Sequence, residues 1–526
     1  MQALSPVGIE PREYQRSIAN SALAANTLVV LPTGLGKTMV ALLVATDRLA
    51  KYPETKALIL APTRPLVLQH AGFFDKHYPD RGAKSVSLTG ETPPATRASD
   101  FDDARLIFAT PEVIRNDVSA ERYDLRNVSL VVFDEAHRCV RDYAYTDVAQ
   151  AYKSQAAQPL ILGLTASPSA KKTRVEEICE RLAITNVETR TEKDSDVADY
   201  VKDVEVNWLR MPLPEDYKRA TKVLHAALDV RVNKLRSMHQ LPANVRVGKR
   251  MLLELGERLH NSLRRGGAGA LYGAVQLQSQ AMSLMHAIDL LETQGGYSAT
   301  RFLSRLERSR TKSARGLARD PQIIEAQKLS ASLEKTPHPK ESKLRELVTN
   351  DLNSNPRAKI IIFTQFRDTV ETIADNLNRI DRVQAVRFVG QASRSEEDLG
   401  LTQGQQMQIL EDFRDGKYNV LVTTSIGEEG LHVPDVDHVI FYEAVPSEIR
   451  MIQRRGRTGR TRPGKTTVLM TEGTVDEAYY WTSKRKEEQM HRYLATVKDR
   501  GVKRGKKKKT TLLDYLSPSH ADHPLQ

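Results

Sequence analysis

Cysteine is nearly missing from this chain: Cys139 and Cys179 are the only two among 526 residues. Two thiols cannot build a disulfide scaffold, a four-cysteine zinc site or a four-cysteine iron–sulfur cluster. Long apolar runs are missing too. Runs such as Leu28–Leu31 and Leu130–Phe133 are strand-length, far short of the ~20 residues of a membrane span. Near the start stand Glu10, Pro11, Arg12 and Glu13, with no apolar core of a secretory leader. These absences predict no membrane partner and an intracellular, cytoplasmic setting.

What is present is basic charge, unevenly placed. The net charge is +12. Residues 211–340 hold 22 Lys/Arg against 11 Asp/Glu, and residues 501–526 hold six against two. The remainder is slightly acidic. Basic charge gathered in one middle segment and one tail points to a polyanion partner, foremost nucleic acid. A solvated basic helix surface is the plain alternative.

The length predicts three or four domains at ~100–200 residues each. Residues 1–208 alternate apolar runs with helical stretches: Leu28–Leu31, Ala57–Leu60, Leu106–Ala109, Leu130–Phe133 and Leu160–Leu164. Residues 339–498 repeat that style with Lys359–Phe363, Val420–Thr423, His438–Phe441 and Thr467–Met470. Both segments therefore predict an α/β domain with a parallel sheet covered on both faces. Residues 209–338 carry helical spacing instead. Leu224, Leu228, Val232 and Leu235 form one stripe; Leu252, Leu255, Leu259 and Leu263 a second; Leu277, Ala281, Leu284, Ile288 and Leu291 a third. An all-helical insert, its polar faces basic, is expected there. The Lys-rich tail, 499–526, is expected to be disordered.

Leu31-Pro32-Thr33-Gly34-Leu35-Gly36-Lys37-Thr38 follows an apolar strand and opens a helix. Glycines let backbone N–H groups curl around phosphates, and a helix N-terminus adds a favourable dipole. Lys37 would reach the β- and γ-phosphates of ATP, and Thr38 would hold Mg²⁺. The strict template has glycine at position 31, where this chain has leucine. Asp134-Glu135-Ala136-His137 follows the run Leu130–Phe133. An acid at the carboxyl end of a buried strand points into the crevice where α/β sheets bind ligands. Asp134 is then the metal partner of Thr38, and Glu135 is placed to orient and deprotonate a water.

In order, Arg12-Glu-Tyr-Gln15, Leu31–Thr38, Asp134–His137, Thr165-Ala-Ser167, Thr423–Asp437 and Gln453-Arg-Arg-Gly-Arg-Thr-Gly-Arg460 resemble the motifs of superfamily 2 helicases. Phe388–Ser393, Ser425–Gly430, Phe441–Ser447 and Asp476–Trp481 are similar to segments of the archaeal Hef helicases, relatives of the Fanconi anaemia M-type translocases. The resemblance covers both α/β segments. It implies two RecA-like motor domains, a helical insert between them, and ATP-driven remodelling of forked or branched DNA near the nucleoid. It also implies roles. Gln15, with Arg12, would read adenine. His137, Thr165 and Ser167 would couple hydrolysis to domain closure. Gln453, Arg457 and Arg460 would complete the catalytic set, the arginines neutralising transition-state charge. The family has Gly-Leu-Asp before Pro434, where this chain reads Gly430-Leu-His432, so ribose contact at His432 is expected to differ. The chain ends at Gln526 without the paired acids of a Hef nuclease domain, and no nuclease activity is expected.

The same resemblance assigns phosphate contacts to Thr63, Arg64, Thr110, Thr364, Arg367, Thr423 and Thr424. Hydroxyls and N–H groups grip a backbone without reading sequence. The insert would clamp the duplex through Arg231, Lys234, Arg246, Lys249, Arg250, Arg264 and Arg265, or through Arg305, Arg308, Arg310 and Lys312. Leu512, Tyr515 and Leu516 in the tail are spaced like a sliding-clamp-binding peptide. Two other functions stay open: a duplex-RNA-stimulated ATPase of the RIG-I and Dicer type, and a non-catalytic scaffold for branched DNA.

Overall fold

The computed structural model describes residues 5–140, 142–169, 171–192, 194–200, 204–265, 269–390, 400–424, 436–444 and 464–500. The first α/β unit is built on β1 (Thr27–Val30), β2 (Lys56–Leu60), β3 (Ser85–Leu88), β4 (Leu106–Ala109), β5 (Val128–Phe133), β6 (Ile161–Thr165) and β7 (Asn186–Thr189). They form one parallel sheet in the order β3-β4-β2-β5-β6-β1-β7. Its central strands are buried on both faces, so their residues divide between two cores. Leu28, Val30, Leu58, Leu60, Val131 and Phe133 face one. Val29, Leu31, Ile59, Leu130 and Val132 face the other. Helices α1 (Glu13–Ala24), α2 (Lys37–Lys51), α3 (Arg64–His77), α4 (Pro94–Asp103), α5 (Pro111–Ser119), α6 (Ala144–Gln155) and α7 (Lys172–Arg181) make the connections.

The insert comprises α8 (Glu215–Ser237), α9 (Lys249–Arg264), α10 (Ala270–Thr293), α11 (Gly296–Glu307), α12 (Lys312–Ala318) and α13 (Pro321–Ser332). The three leucine-rich stripes meet in one core with Leu224, Leu235, Leu252, Leu259, Leu284 and Leu291. Arg231, a candidate for DNA contact, is buried inside it. Its guanidinium is bonded to Asp320 and donates to Gln280 Oε1 at 3.4 Å and Ala227 O at 3.2 Å. Those bonds engage all three guanidinium nitrogens inside the protein, so it supports the bundle rather than a phosphate.

The second α/β unit has β8 (Val204–Met211), β9 (Ile360–Phe363), β10 (Ala385–Phe388), β11 (Val420–Thr423), β12 (His438–Phe441) and β13 (Gly464–Thr471), all parallel, in the order β10-β11-β9-β12-β13-β8. Helices α14 (Pro339–Ser354), α15 (Arg367–Leu377), α16 (Gln403–Asp415) and α17 (Val475–Arg500) belong to its stretch of chain. The expected boundary at residue 209 needs correcting. It falls inside β8, whose eight residues pair with β13 from Val204–Gly464 to Met211–Thr471. The chain adds an edge strand to the second sheet before it enters the insert. The far boundary is also less clean than expected. Met490 of α17 is buried in a core of the first unit, with Tyr493 beside it. One helix therefore ties the two units together.

Candidate nucleotide and nucleic-acid sites

Strands β5, β6 and β1 are consecutive in the first sheet, so the loops leaving their carboxyl ends converge. Leu31 directly follows β1 and is buried, and its N–H donates to Thr165 O at 3.1 Å. Position 31 thus serves strand pairing and burial, which accounts for leucine in place of the template's glycine. The turn comes later, at Gly34 (φ 91°) and Gly36 (φ 77°). A Cβ on Gly36 would stand 2.4 Å from Gln15 Nε2. Pro32 and Thr33 line the turn half-buried, Leu35 is buried, and Lys37 and Thr38 open α2 half-buried. Lys37 Nζ donates to Leu31 O at 3.3 Å, curled back over its own loop.

Gln15 is buried on α1. Its Nε2 donates to Leu35 O at 3.1 Å, and its Oε1 accepts from Arg12 N–H at 3.0 Å. Tyr14 O–H donates to the same Leu35 carbonyl at 2.8 Å, and the Arg12 guanidinium donates to Tyr14 Oη at 3.1 Å while lying 4.7 Å from the Tyr200 ring centroid. Gln15 and Arg12 therefore brace the phosphate loop from below.

Asp134 is fixed at three points. Its N–H donates to Leu60 O at 2.9 Å, its carbonyl accepts from Tyr145 O–H at 2.6 Å, and its Oδ2 lies 2.9 Å from His70 Nε2. The sequence reading missed His70 and Tyr145. Glu135 sits in left-handed backbone, φ 50° and ψ 47°, at a cost of about 1–3 kcal/mol. Its Oε2 stands 3.1 Å from His137 Nδ1, close enough for charge attraction but outside hydrogen-bond alignment. Burial alone would raise its pKa. The His137 imidazole, then the charges of Lys37 and Arg138, outweigh that and hold the carboxyl below the usual carboxylate range. His137 Nδ1 is also 3.2 Å from Thr165 Oγ1, which accepts from Ser167 N–H at 3.2 Å. Ser167 Oγ is buried without a hydrogen-bond partner. Glu135, His137, Thr165 and Ser167 thus stand in one contiguous row.

The positions assigned to phosphate contact divide in two. Thr63 and Thr110 occupy the positions just before α3 and α5, beyond the carboxyl ends of the neighbouring strands β2 and β4. Both are half-buried, and Arg64 is paired with Glu91. Across the second sheet, Arg367 opens α15 and donates to Gly390 O at 3.1 Å. Thr364, Thr423 and Thr424 behave differently. Thr364 is fully buried, and its Oγ1 lies 3.1 Å from Glu443 Oε2 and 3.4 Å from Gln294 Oε1. Thr423 is buried and donates to Thr424 O at 3.0 Å, and Thr424 is itself buried. In this arrangement all three residues are buried, and Thr364 and Thr423 turn their hydroxyls to partners within the protein.

Three family models match successive parts of the chain. A DEAD/DEAH box helicase model covers residues 12–175, an RNA-helicase helical-bundle model residues 216–336, and a helicase conserved C-terminal domain model residues 339–462. The crystal structure of the Pyrococcus furiosus Hef helicase domain matches with a TM-score of 0.68 at 42% sequence identity, over 90% of this chain and 98% of that one. The chain belongs to the Hef helicase family. A Methanocaldococcus jannaschii relative named as an ATP-dependent RNA helicase is 41% identical over 494 residues, 94% of this chain and 62% of the relative. The Neurospora crassa ATP-dependent DNA helicase mph1 is 32% identical over 500 residues, 90% of this chain and 42% of mph1. The Fanconi anemia group M protein homolog of Mus musculus is 31% identical over 516 residues, 90% of this chain and 25% of that protein. The chain therefore spans less than two thirds of these three relatives.

Two segments that carry the Hef likeness have a visible job. Glu443, buried at the end of β12, accepts from Gln294 Nε2 at 3.2 Å and from Gln365 N–H. Thr369 O–H donates to Gln294 Oε1 at 2.8 Å. Asp476, at the start of α17, forms a buried ion pair with Lys340 of α14. Lys340 Nζ also donates to Thr293 O at 3.2 Å, so both segments fasten the end of α10 to the second unit. Phe366 extends the joint by packing against the insert core beside His286. Gln453, Arg457 and Arg460 lie outside the described residues, as do His432, Leu512, Tyr515 and Leu516.

Proposed function

We propose that this Hef-family chain couples ATP hydrolysis to movement along DNA and remodels forked or branched DNA. One observation carries the reading: Glu135 is held ionised beside the phosphate-loop Lys37 and connected through His137 and Thr165 to Ser167. An ionised carboxylate there can orient a water and take its proton. Lys37 would leave the Leu31 carbonyl for the β- and γ-phosphates, and the α2 N-terminus would favour their charge.

Thr38 and Asp134 suit Mg²⁺. Among the described residues no cluster of three or more His, Cys, Asp or Glu side chains could hold a metal. One hydroxyl and one carboxylate are what Mg²⁺ needs when waters and phosphates supply the other ligands. When bound, the ion offsets phosphate charge. Gln453, Arg457 and Arg460 would join the site from the second unit on closure, and the Glu135–His137–Thr165–Ser167 chain would make hydrolysis depend on that closure. Thr63, Arg64, Thr110 and Arg367 would hold one strand, and the basic insert would hold the branch.

DNA is favoured over RNA by the mph1 likeness; the name of the Methanocaldococcus relative favours RNA. The test is ATP turnover with no nucleic acid, single-stranded DNA, linear duplex DNA, a model fork and duplex RNA. Strongest stimulation by the fork is expected, with a loss of at least about a hundredfold in Glu135→Gln. Strongest stimulation by duplex RNA would overturn the DNA assignment, and no turnover with any of them would overturn the motor. No described helix is long and apolar enough to cross a membrane.

A further inference from the structure

α3 buries Val67, His70, Ala71, Phe74 and His77, a helical stripe with imidazoles at two positions, and His77 at the end of the helix spends its Nδ1 on Val7 O at 2.8 Å. Leucine or phenylalanine at position 70 would fill that stripe without placing a polar ring in a core. The histidine carries a cost as well, because its Nδ1 is buried with no hydrogen-bond partner. A buried unpaired polar atom is normally avoided. The other ring nitrogen, Nε2, lies 2.9 Å from Asp134 Oδ2. An ionised carboxylate only accepts, so Nε2 carries the proton and donates.

We infer that His70 is a positioning residue for the metal-binding carboxylate of Asp134. This rests on the nucleotide-site reading above. The terminal torsion of an aspartate is broad. The His70 bond fixes it by occupying Oδ2, and Oδ1 remains for a ligand at the phosphate loop. The Leu60 and Tyr145 bonds fix only the backbone of Asp134, so the carboxylate plane depends on His70. Hydrogen bonds to ligating carboxylates typically govern metal affinity about ten- to a hundredfold.

The test is equilibrium binding of a fluorescent ADP analogue in Mg²⁺ and in EDTA, for the wild-type chain, His70→Phe and His70→Gln. The quantity read is the affinity gained on adding Mg²⁺. His70→Phe should lose about ten- to a hundredfold of that gain with its affinity in EDTA unchanged. His70→Gln, whose amide N–H can reach Oδ2, should keep most of it. His70→Leu replaces the phenylalanine variant if the larger ring prevents folding, judged by thermal unfolding without nucleotide. A full Mg²⁺ gain in His70→Phe or His70→Leu would overturn the inference. An equal loss in EDTA would overturn it too, since that reports damaged packing. A wild-type chain that binds no nucleotide in either condition would overturn the underlying site reading, a result distinct from both.

Discussion

Gly36 meets two constraints on one α-carbon. Its φ of 77° lies in left-handed backbone, which costs a residue with a Cβ roughly 1–2 kcal/mol. The Cβ would also meet Gln15 Nε2 at 2.4 Å, and Gln15 is pinned by its bonds to Leu35 O and Arg12 N–H. Gly36→Ala should therefore destabilise the first unit by at least that backbone cost and weaken nucleotide binding. Adding Gln15→Ala should remove the steric part but not the backbone part, so the double variant should recover only partly. Urea unfolding of both variants and the wild type measures the difference. Lys37, Asp134, Glu135, His137, Thr165 and Ser167 were legible because each sits in a short motif beside an apolar strand. His70 and Tyr145 were not. They occupy buried helix positions that differ from a core residue only once Asp134 is seen beside them.

All four strands that the sequence reading did not recognise are sheet edges: β3 and β7 in one sheet, β10 and β8 in the other. Central strands are covered on both faces and read as unbroken apolar runs. Edge strands are covered less and mix polar residues in, as Asn186–Thr189 does. That is also why a boundary at residue 209 splits β8, leaving Val204–Trp208 with the first domain and Leu209–Met211 with the helical insert. The joint between insert and second sheet was equally hidden, because buried polar residues at a junction have no period. His338 sits in that joint and gives it a pH dependence. It caps α14, where its Nδ1 accepts from Lys340 N–H at 3.3 Å, and its Nε2 donates to Glu292 O at 3.1 Å. The Nδ1 bond requires a neutral ring, because a protonated Nδ1 cannot accept, whereas the Nε2 bond survives protonation. Burial first, and then the neighbouring Lys340 charge, lower its pKa from 6.5 to about 3. The unfolded chain therefore takes up the proton first, and the stability His338 supplies is present above pH 6.5 and lost as pH falls toward 3. At about pH 5.5 the loss is about 1.4 kcal/mol. Asp289 works in the opposite direction. Burial raises its pKa to about 6, so it adds stability as pH falls through that value. Comparing variants separates the two. Asn caps helices well without titrating, so His338→Asn should lose less stability than the wild type between about pH 7.5 and 5.5. Thermal unfolding at the two pH values reads this, and equal losses would exclude His338 as the source.

Across the whole molecule, the excess of basic charge was legible in sequence, but its division of labour was not. Arg231 is consumed inside the insert. Arg305 pairs with Asp368, and Arg301 lies 3.7 Å from Asp368 and 3.8 Å from Glu371, so these arginines bind the insert to α15. Lys249 and Arg250 face Asp289 and Glu254. Lys234, Arg246, Arg264, Arg265, Arg308, Arg310 and Lys312 are exposed. Arg264 and Arg265 stand where α9 ends, and α10 begins just beyond at Ala270 and runs back to the Gln294 joint. A helix of that length measures about 36 Å, so a load at the Arg264 end reaches the second sheet through one element. Counting all the insert's arginines as DNA contacts would overstate the salt dependence of binding, because buried and paired ones release no counterions. Each phosphate neutralised contributes about 0.9 to the slope of log affinity against log salt. Arg264→Gln together with Arg265→Gln should therefore lower the slope for a model fork by about 1.8 while leaving thermal stability unchanged. Arg231→Gln should do the reverse, lowering stability while leaving the slope intact. Fork binding titrated at several salt concentrations, with thermal unfolding of the same variants, separates the two roles. An unchanged slope in the Arg264 and Arg265 variant would remove the α9 end from the DNA path and leave the other exposed cations to carry it.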